Sequence, residues 1–176
     1  MAQRHEIVVR EYQRSADLER VLEIAIALPD WFSQSGIRFM QADLRYQYGF
    51  VAEDGNKEMV GFISFFVNQG KGEIGWIGIR PDFHRQGVGR SLLHRLLREL
   101  ESTQVSELYV HTLGDAVDYE PYERTRKFYR QMGFQDFKRI ANPENLECEE
   151  ELILLLKLPA APEVEPRLDD QPYARG

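Results

Sequence analysis

One stretch narrows the possible folds more than any other. Glu73 to Ile79 (EIGWIGI) reads as an apolar strand, and Arg80 to Gln86 (RPDFHRQ) as a polar loop. Gly87-Val88-Gly89 then opens a helix on which Leu92, Leu93, Leu96, Leu97 and Leu100 form one apolar stripe, with Arg90, Arg95, Arg98 and Glu99 off it. A strand that leads through a short loop into an amphipathic helix predicts a sheet with a helix laid on one face.

The rest of the chain extends the pattern. Residues 6 to 12 read as a strand, and Ser15 as an N-cap ahead of a helix through Leu18, Val21, Leu22, Ala25 and Ile26 that ends at Pro29. A weaker helical pattern covers Gly36 to Arg45. Phe50 to Ala52 and Met59 to Val67 make an antiparallel hairpin, and Gln69 to Gly72 is a turn. Beyond the leucine helix come a strand at Leu108 to His111 and a polar loop from Gly114 to Glu120. Then follow a helix from Tyr122 to Met132 that Gly133 stops, and strands at Phe134 to Ile140 and Leu152 to Leu158. The apolar Leu152 to Leu158 run is also a candidate edge for a homodimer. The order β-α-α-β-β-β-α-β-α-β-β has no repeat and fits one α/β (mixed α+β) domain over 1-158.

Charge is spread unevenly. Of the net -7, the segment from Glu144 to Gly176 holds nine acidic side chains against three basic ones, leaving 20 against 19 in residues 1 to 143. Four of the eight prolines fall after Leu158, so 159-176 reads as a flexible Pro-rich acidic tail. The overall negative charge speaks against a general affinity for nucleic acid or an anionic membrane. One cysteine, Cys148, forms no internal disulfide or zinc cluster, and the first residues show no leader, so a cytoplasmic protein without a metal is expected.

Within the domain the charge is polarised. Five arginines (80, 85, 90, 95 and 98) against Asp82 give residues 80 to 98 a local charge of +4. The first amides of a helix have no internal partner and sit at the positive end of its dipole, so an anion is the natural occupant at Gly87 to Arg90. The stretch is not a P-loop, because Arg90-Ser91 replaces Lys-Ser/Thr, nor a dinucleotide fingerprint, because Leu92 replaces the third glycine.

The run Ile77 to Gly89 resembles the acetyl-coenzyme A motif of the GNAT N-acetyltransferase superfamily, Gln/Arg-x-x-Gly-x-Gly/Ala after a strand. Phe128-Tyr129-Arg130-Gln131-Met132-Gly133-Phe134 resembles that family's second signature, and the element order agrees over roughly residues 5 to 158. His84 departs from the usual Gln or Arg, and Tyr122 stands where many members have an Asn that touches coenzyme A. The resemblance implies a central mixed, mostly antiparallel seven-stranded sheet flanked by about four helices. It also implies a V-shaped gap between the strands of Ile77 to Ile79 and Tyr109 to His111. Acetyl-CoA would meet Ile77, Gly78, Ile79, His84, Arg85, Gln86, Gly87, Val88, Gly89, Arg90 and Ser91 there, with a main-chain N–H near Ile79 polarising the acetyl carbonyl.

The resemblance further implies Tyr129 as the acid that protonates the leaving thiolate and Glu73, fourteen positions before Gly87, as the base. A core role for Tyr129 and a plain surface role for Glu73 stay open. Trp31 and Phe32 either line the acceptor site or plug the core. His111 is an alternative proton carrier or a structural histidine. Asp115 and Asp118, with Glu120 and Glu123, either favour a cationic acceptor or make a solvated loop and helix start. The expected function is transfer of acetyl to a primary amine of a small molecule or peptide by direct attack in a ternary complex. The alternatives are an acyl-CoA-sensing module without chemistry, a hydroxyl acceptor, or a longer acyl chain.

Overall fold

The computed structural model describes residues 6–159; the expected tail at 159-176 lies, after its first residue, outside the described residues. Seven strands form one sheet in the order β1-β2-β3-β4-β5-β7-β6. In chain order the elements are β1 (Val8–Glu11), α1 (Arg14–Ile26), α2 (Gln34–Asp43), β2 (Tyr48–Glu53), β3 (Met59–Asn68) and β4 (Lys71–Ile79). After a short 3-10 turn at Pro81–Phe83 come α3 (Val88–Glu101), β5 (Glu107–Leu113), α4 (Glu120–Gln131), β6 (Gln135–Ala141) and β7 (Glu150–Lys157). All neighbouring strands are antiparallel except β4 and β5. The architecture is the expected one.

Two apolar clusters sandwich the sheet. On one face α3 buries Val88, Leu92, Leu93, Leu96 and Leu100 against Phe50, Ile74, Leu108, Val110 and Leu152, with Tyr129 of α4 in the same cluster. Each of those leucines contributes about 1.5–3 kcal/mol by leaving water, which is why the stripe dictates how the helix docks. On the other face α1 and α2 pack Val21, Ala25, Met40 and Leu44 onto Val51, Met59 and Phe62.

Two local expectations are corrected. Helix α1 begins at Arg14 behind Gln13, so Ser15 lies inside the first turn. The Asp17 carboxylate accepts from the Gln13 amide at 2.8 Å and from Arg10 at 2.8 and 2.9 Å, anchoring the helix start to β1. The apolar run on β7 is no sheet edge. That strand lies between β5 and β6, with Leu152 and Leu154 fully buried. Its apolar residues serve the core, and β6 is the edge.

The feature that positions the site is an interrupted strand pair. Along β4, Lys71 to Ile74 pair in parallel with Glu107 to Val110, and the pairing then stops. At the same point the register of β3 against β4 slips by one residue between Ile63 and Phe65. The bulge is held by Ser64, whose Oγ accepts the Trp76 amide at 3.0 Å and donates to Gln47 at 2.7 Å. A bulge bends and twists its strand. Gly75 to Ile79 therefore swing away from β5, which stays paired with β7 through Leu113.

Candidate active site

The splay opens a cavity of about 760 Å³ between β4, β5, α4 and the N-terminus of α3. Its β4 wall presents main chain. Arg80 donates to the Val60 carbonyl at 2.9 Å and Gly78 lies opposite Phe62. Antiparallel pairs alternate in direction, so Ile77 and Ile79 turn their amides and carbonyls the other way, toward the gap that β5 has left. An extended amide-bearing ligand can add to that exposed ladder as a strand does. The Ile79 carbonyl already faces His84 Nε2 at 2.7 Å; a carbonyl only accepts, so Nε2 carries the proton.

Gly78 borders the cavity, but its main chain belongs to the β3 ladder and its missing Cβ makes room for protein. A methyl there would lie 2.7 Å from the Phe62 ring. The close approach that a strand glycine signals is made here by an aromatic side chain.

At the mouth, Gly87 caps α3 at φ 83, a left-handed conformation that glycine adopts without cost. Arg85 also has positive φ, at 58, a conformation that costs a non-glycine residue about 1–2 kcal/mol. The amides of Val88, Gly89 and Arg90 in the first turn lack intrahelical partners and sit beside the cavity. Of the five arginines counted in sequence, Arg80 is paired with Asp82 at 2.8 Å and Arg95 with Glu99 at 2.7 Å. Arg85 and Arg90 line the cavity, joined by Arg124 and Lys127 of α4. Sequence reasoning missed those two. With Phe128 and Gln131 they fall at i, i+3, i+4 and i+7, one face of a helix, and that was the available signal. Gln86 and Ser91 turn to local carbonyls, Gln86 Nε2 to Asp82 at 2.7 Å and Ser91 Oγ to Gly87 at 3.1 Å.

Tyr129 closes the inner end. It is 2 % exposed, with its ring 5.3 Å from both Phe128 and Phe134. No described residue hydrogen-bonds its hydroxyl. Burial, aided by nearby Tyr122, raises its phenol well above the ordinary range and keeps it protonated. Tyr122 is pushed up to about 12 by burial and donates to the Trp31 carbonyl at 2.8 Å. Thr112 of β5 also lines the cavity, and its Oγ1 is fully buried with no hydrogen-bond partner among the described residues. A buried hydroxyl left unpaired costs about 1–3 kcal/mol.

Trp31 and Phe32 line the cavity as well. Trp31 Nε1 donates to Thr125 Oγ1 at 3.1 Å, and its ring meets His84 edge-on at 5.6 Å; Phe32 packs on Trp76. As a roof, Trp31 ties the α1–α2 segment to α4 and Phe32 ties it to β4.

On the opposite face of the sheet from α4, three side chains from adjacent strands meet at the splay. His111 of β5, which borders the cavity, has Nε2 3.6 Å from Glu73 Oε1 of β4 and Nδ1 in contact with Glu151 Oε1 of β7. Glu73 itself reaches the cavity only through His111. Glu151 gave no sequence signal, because nothing in the chain order announces that β7 inserts beside β5.

The structure does not bring Asp115 to the cavity. Its carboxylate is held by Arg126 at 3.0 Å, Arg130 at 3.2 Å and Arg139 at 3.4 Å. Burial pushes Asp115 up, but Arg130 and Arg139 outweigh it and hold it below the usual carboxylate range. Arg126 is buried, donating to the Leu113 and Gly114 carbonyls, so this cluster fastens the β5–α4 loop. Asp118 is exposed on that loop and likewise stands outside the cavity. Among the described residues no group of three or more His, Cys, Asp or Glu is placed to hold a metal ion, and no helix is long and apolar enough to cross a membrane.

Comparison with known proteins places this geometry. The family model described as the acetyltransferase (GNAT) family matches residues 11–134. Over 83 residues the chain is 28% identical to a protein of Pyropia yezoensis named uncharacterized N-acetyltransferase ycf52, covering 47% of this chain and 42% of that protein. The chain thus spans about two-fifths of the curated relative it matches. A GNAT-family structure from Desulfovibrio desulfuricans superposes with a TM-score of 0.75 at 18% identity, covering 86% of this chain and 99% of that one. The ribosomal-protein-S18-alanine N-acetyltransferase of Escherichia coli gives 0.70 at 21% identity, covering 91% and 99%. A GNAT family acetyltransferase from Elizabethkingia anophelis with acetyl-CoA bound gives 0.69 at 18% identity, covering 86% and 98%.

Proposed function

This chain belongs to the GNAT family of acetyltransferases, and we propose that it moves the acetyl group of acetyl-coenzyme A to a primary amine by direct attack in a ternary complex. The observation that carries this reading is the splay. Main-chain groups of Ile77 and Ile79 face a cavity that runs from unpartnered amides and cations at the mouth to the unengaged Tyr129 hydroxyl inside. These features suit a ligand with phosphates at one end, amides in the middle and a reactive centre at the other.

Acetyl-coenzyme A supplies a thioester whose carbon an amine can attack. In our reading the amides of Val88, Gly89 and Arg90, with Arg85, Arg124 and Lys127, hold the pyrophosphate end. Ile77 and Ile79 hold the pantetheine arm in strand-like fashion. A β4 amide at the splay polarises the acetyl carbonyl and steadies charge developing on its oxygen. Tyr129 gives its proton toward the departing sulfur. The Glu73–His111 pair attracts the acceptor's ammonium and takes up its proton, and Trp31 and Phe32 roof the place where the amine would stand. Amine acetylation by a structural neighbour, the S18-alanine N-acetyltransferase, agrees with this reaction class.

The test is thiol release from acetyl-coenzyme A in the presence of polyamines, amino acids, aminoglycosides and lysine peptides. Thiol above background with at least one amine is the expected result. Tight binding of the cofactor with no thiol from any acceptor would leave a binding module and end the catalytic reading.

A further inference from the structure

We infer that Glu151 is a positioning residue that fixes the tautomer of His111, so that His111 Nε2 takes the acceptor's proton while Glu73 serves as the counter-ion of the incoming ammonium. The inference rests on the amine-acetylation reading above and divides the roles within its Glu73–His111 pair.

The geometry orders the three groups. Both ring nitrogens of His111 have a carboxylate beside them, Glu151 at Nδ1 and Glu73 at Nε2, but the two contacts differ in kind. Glu151 touches Nδ1 closely, whereas Glu73 stands 3.6 Å from Nε2, beyond a hydrogen bond. A carboxylate only accepts, so Nδ1 bears a proton, and in the neutral ring Nε2 then carries the lone pair. A lone pair beside a carboxylate is an arrangement that an N–H cation completes, since one ammonium can donate to both. His111 borders the cavity and Glu73 does not, which puts Nε2 nearer the reacting centre. All three side chains keep partial exposure, His111 at 38%, Glu73 at 35% and Glu151 at 27%. Solvent therefore reaches the ring, and from α4 the nearby buried cation, Arg126, is turned away into the Leu113 and Gly114 carbonyls.

The proton step balances on these atoms. An acceptor N–H bond breaks toward Nε2, its electron pair stays on the amine nitrogen, and the imidazolium stands between Glu73 and Glu151. The freed pair forms the bond to the acetyl carbon as the carbon–sulfur bond breaks. The imidazolium returns its proton to solvent before the next turnover. The second proton, shed by the nitrogen after attack, leaves as Tyr129 recovers the one it gave to sulfur.

The experiment pairs ring spectroscopy with kinetics. Long-range proton–nitrogen NMR of the whole chain labelled at histidine reads the His111 tautomer, assigned by comparison with His111→Gln. The wild type is expected to be protonated at Nδ1. Glu151→Leu is expected to shift the proton to Nε2 and to cut turnover on the amine panel above by about a hundredfold, within the range for general base catalysis. Its affinity for coenzyme A should stay unchanged. Glu151→Gln, which keeps an accepting oxygen for Nδ1–H, should retain the tautomer and most of the rate. A wild-type ring protonated at Nε2, or a tautomer switch in Glu151→Leu with turnover intact, overturns the inference. If wild type releases no thiol with any amine, acetylation and this inference both fail, and the tautomer measurement shows whether the side-chain geometry failed with them.

Discussion

Replacing Tyr129 by phenylalanine separates chemistry from packing, because the ring is structural and the hydroxyl is not. The ring lies between Phe128 and Phe134 and is 2 % exposed, so phenylalanine refills the same space. No described residue bonds the hydroxyl, so its removal breaks no internal hydrogen bond, and stability should change by less than about 1 kcal/mol. A proton donor for the leaving thiolate accounts for about 10²–10⁴ in rate. At 1.36 kcal/mol per factor of ten, that is about 2.7–5.4 kcal/mol of barrier. The assay is thiol release at saturating acetyl-coenzyme A, beside calorimetry of coenzyme A binding and a thermal melt. Turnover should fall at least a hundredfold with affinity and melting temperature held. Turnover within about threefold of wild type would remove Tyr129 from the mechanism, since that lies below the smallest effect expected of a general acid. A large fall in melting temperature would instead show that the hydroxyl is structural. The same variant has an alkaline signature. Burial raises Tyr129 and takes Tyr122 to about 12, so the folded chain holds more protons than the unfolded one above about pH 10. Stability is therefore full below about pH 10 and lost as pH rises from there. The loss should be shallower in Tyr129→Phe, as read by denaturant melts at pH 9 and 11.

Gly87→Ala should cost about 1 kcal/mol of stability, because φ 83 suits glycine and an added Cβ meets nothing within 4 Å. It should also weaken coenzyme A binding in calorimetry, and wild-type values for both would show that the left-handed cap is not needed. Thr112→Val removes the unpartnered hydroxyl, so the ligand-free protein should melt no lower than wild type. Coenzyme A binding should weaken by about five- to tenfold if the ligand supplies the missing partner, about 1–1.4 kcal/mol; unchanged affinity would refute that. For Asp17, burial pushes the carboxyl up, but Arg10, the Gln13 amide and Arg20 outweigh it and hold it below the ordinary value. Its stability contribution is thus present above about pH 4 and lost as pH falls further. Asp17→Asn should cost about 2 kcal/mol at neutral pH, less than a fully buried pair because Arg10 keeps Glu53. An acid-unfolding curve as steep in the variant as in wild type would contradict this.

Much of the fold could be read because local periodicity carried it. The leucine stripe of α3, the apolar runs of β3 and β4 and the glycines at the α3 cap each encode their element within a few residues, and Phe128 to Phe134 carried Tyr129 with them. The misread elements depended on partners far along the chain. Ser15 is a good capping residue, yet helix α1 starts where Asp17 can reach Arg10. Asp115 is an acid in an acidic loop by sequence, and in space it sits among three arginines from later elements. The apolar run of β7 marks burial without saying whether the strand is central or edge.

The sequence by itself determined the order of the elements, the glycine-opened cap of α3 and the family, because these depend on short-range backbone preference and on motifs within one strand–loop–helix unit. The tertiary structure alone decided where β4 parts from β5, which main-chain groups face the gap, and that Glu73, His111 and Glu151 meet on three neighbouring strands. Those facts depend on a bulge held by Ser64 and on β7 inserting beside β5. A linear pattern does not record strand order, and the chemistry proposed for the acceptor side rests on it.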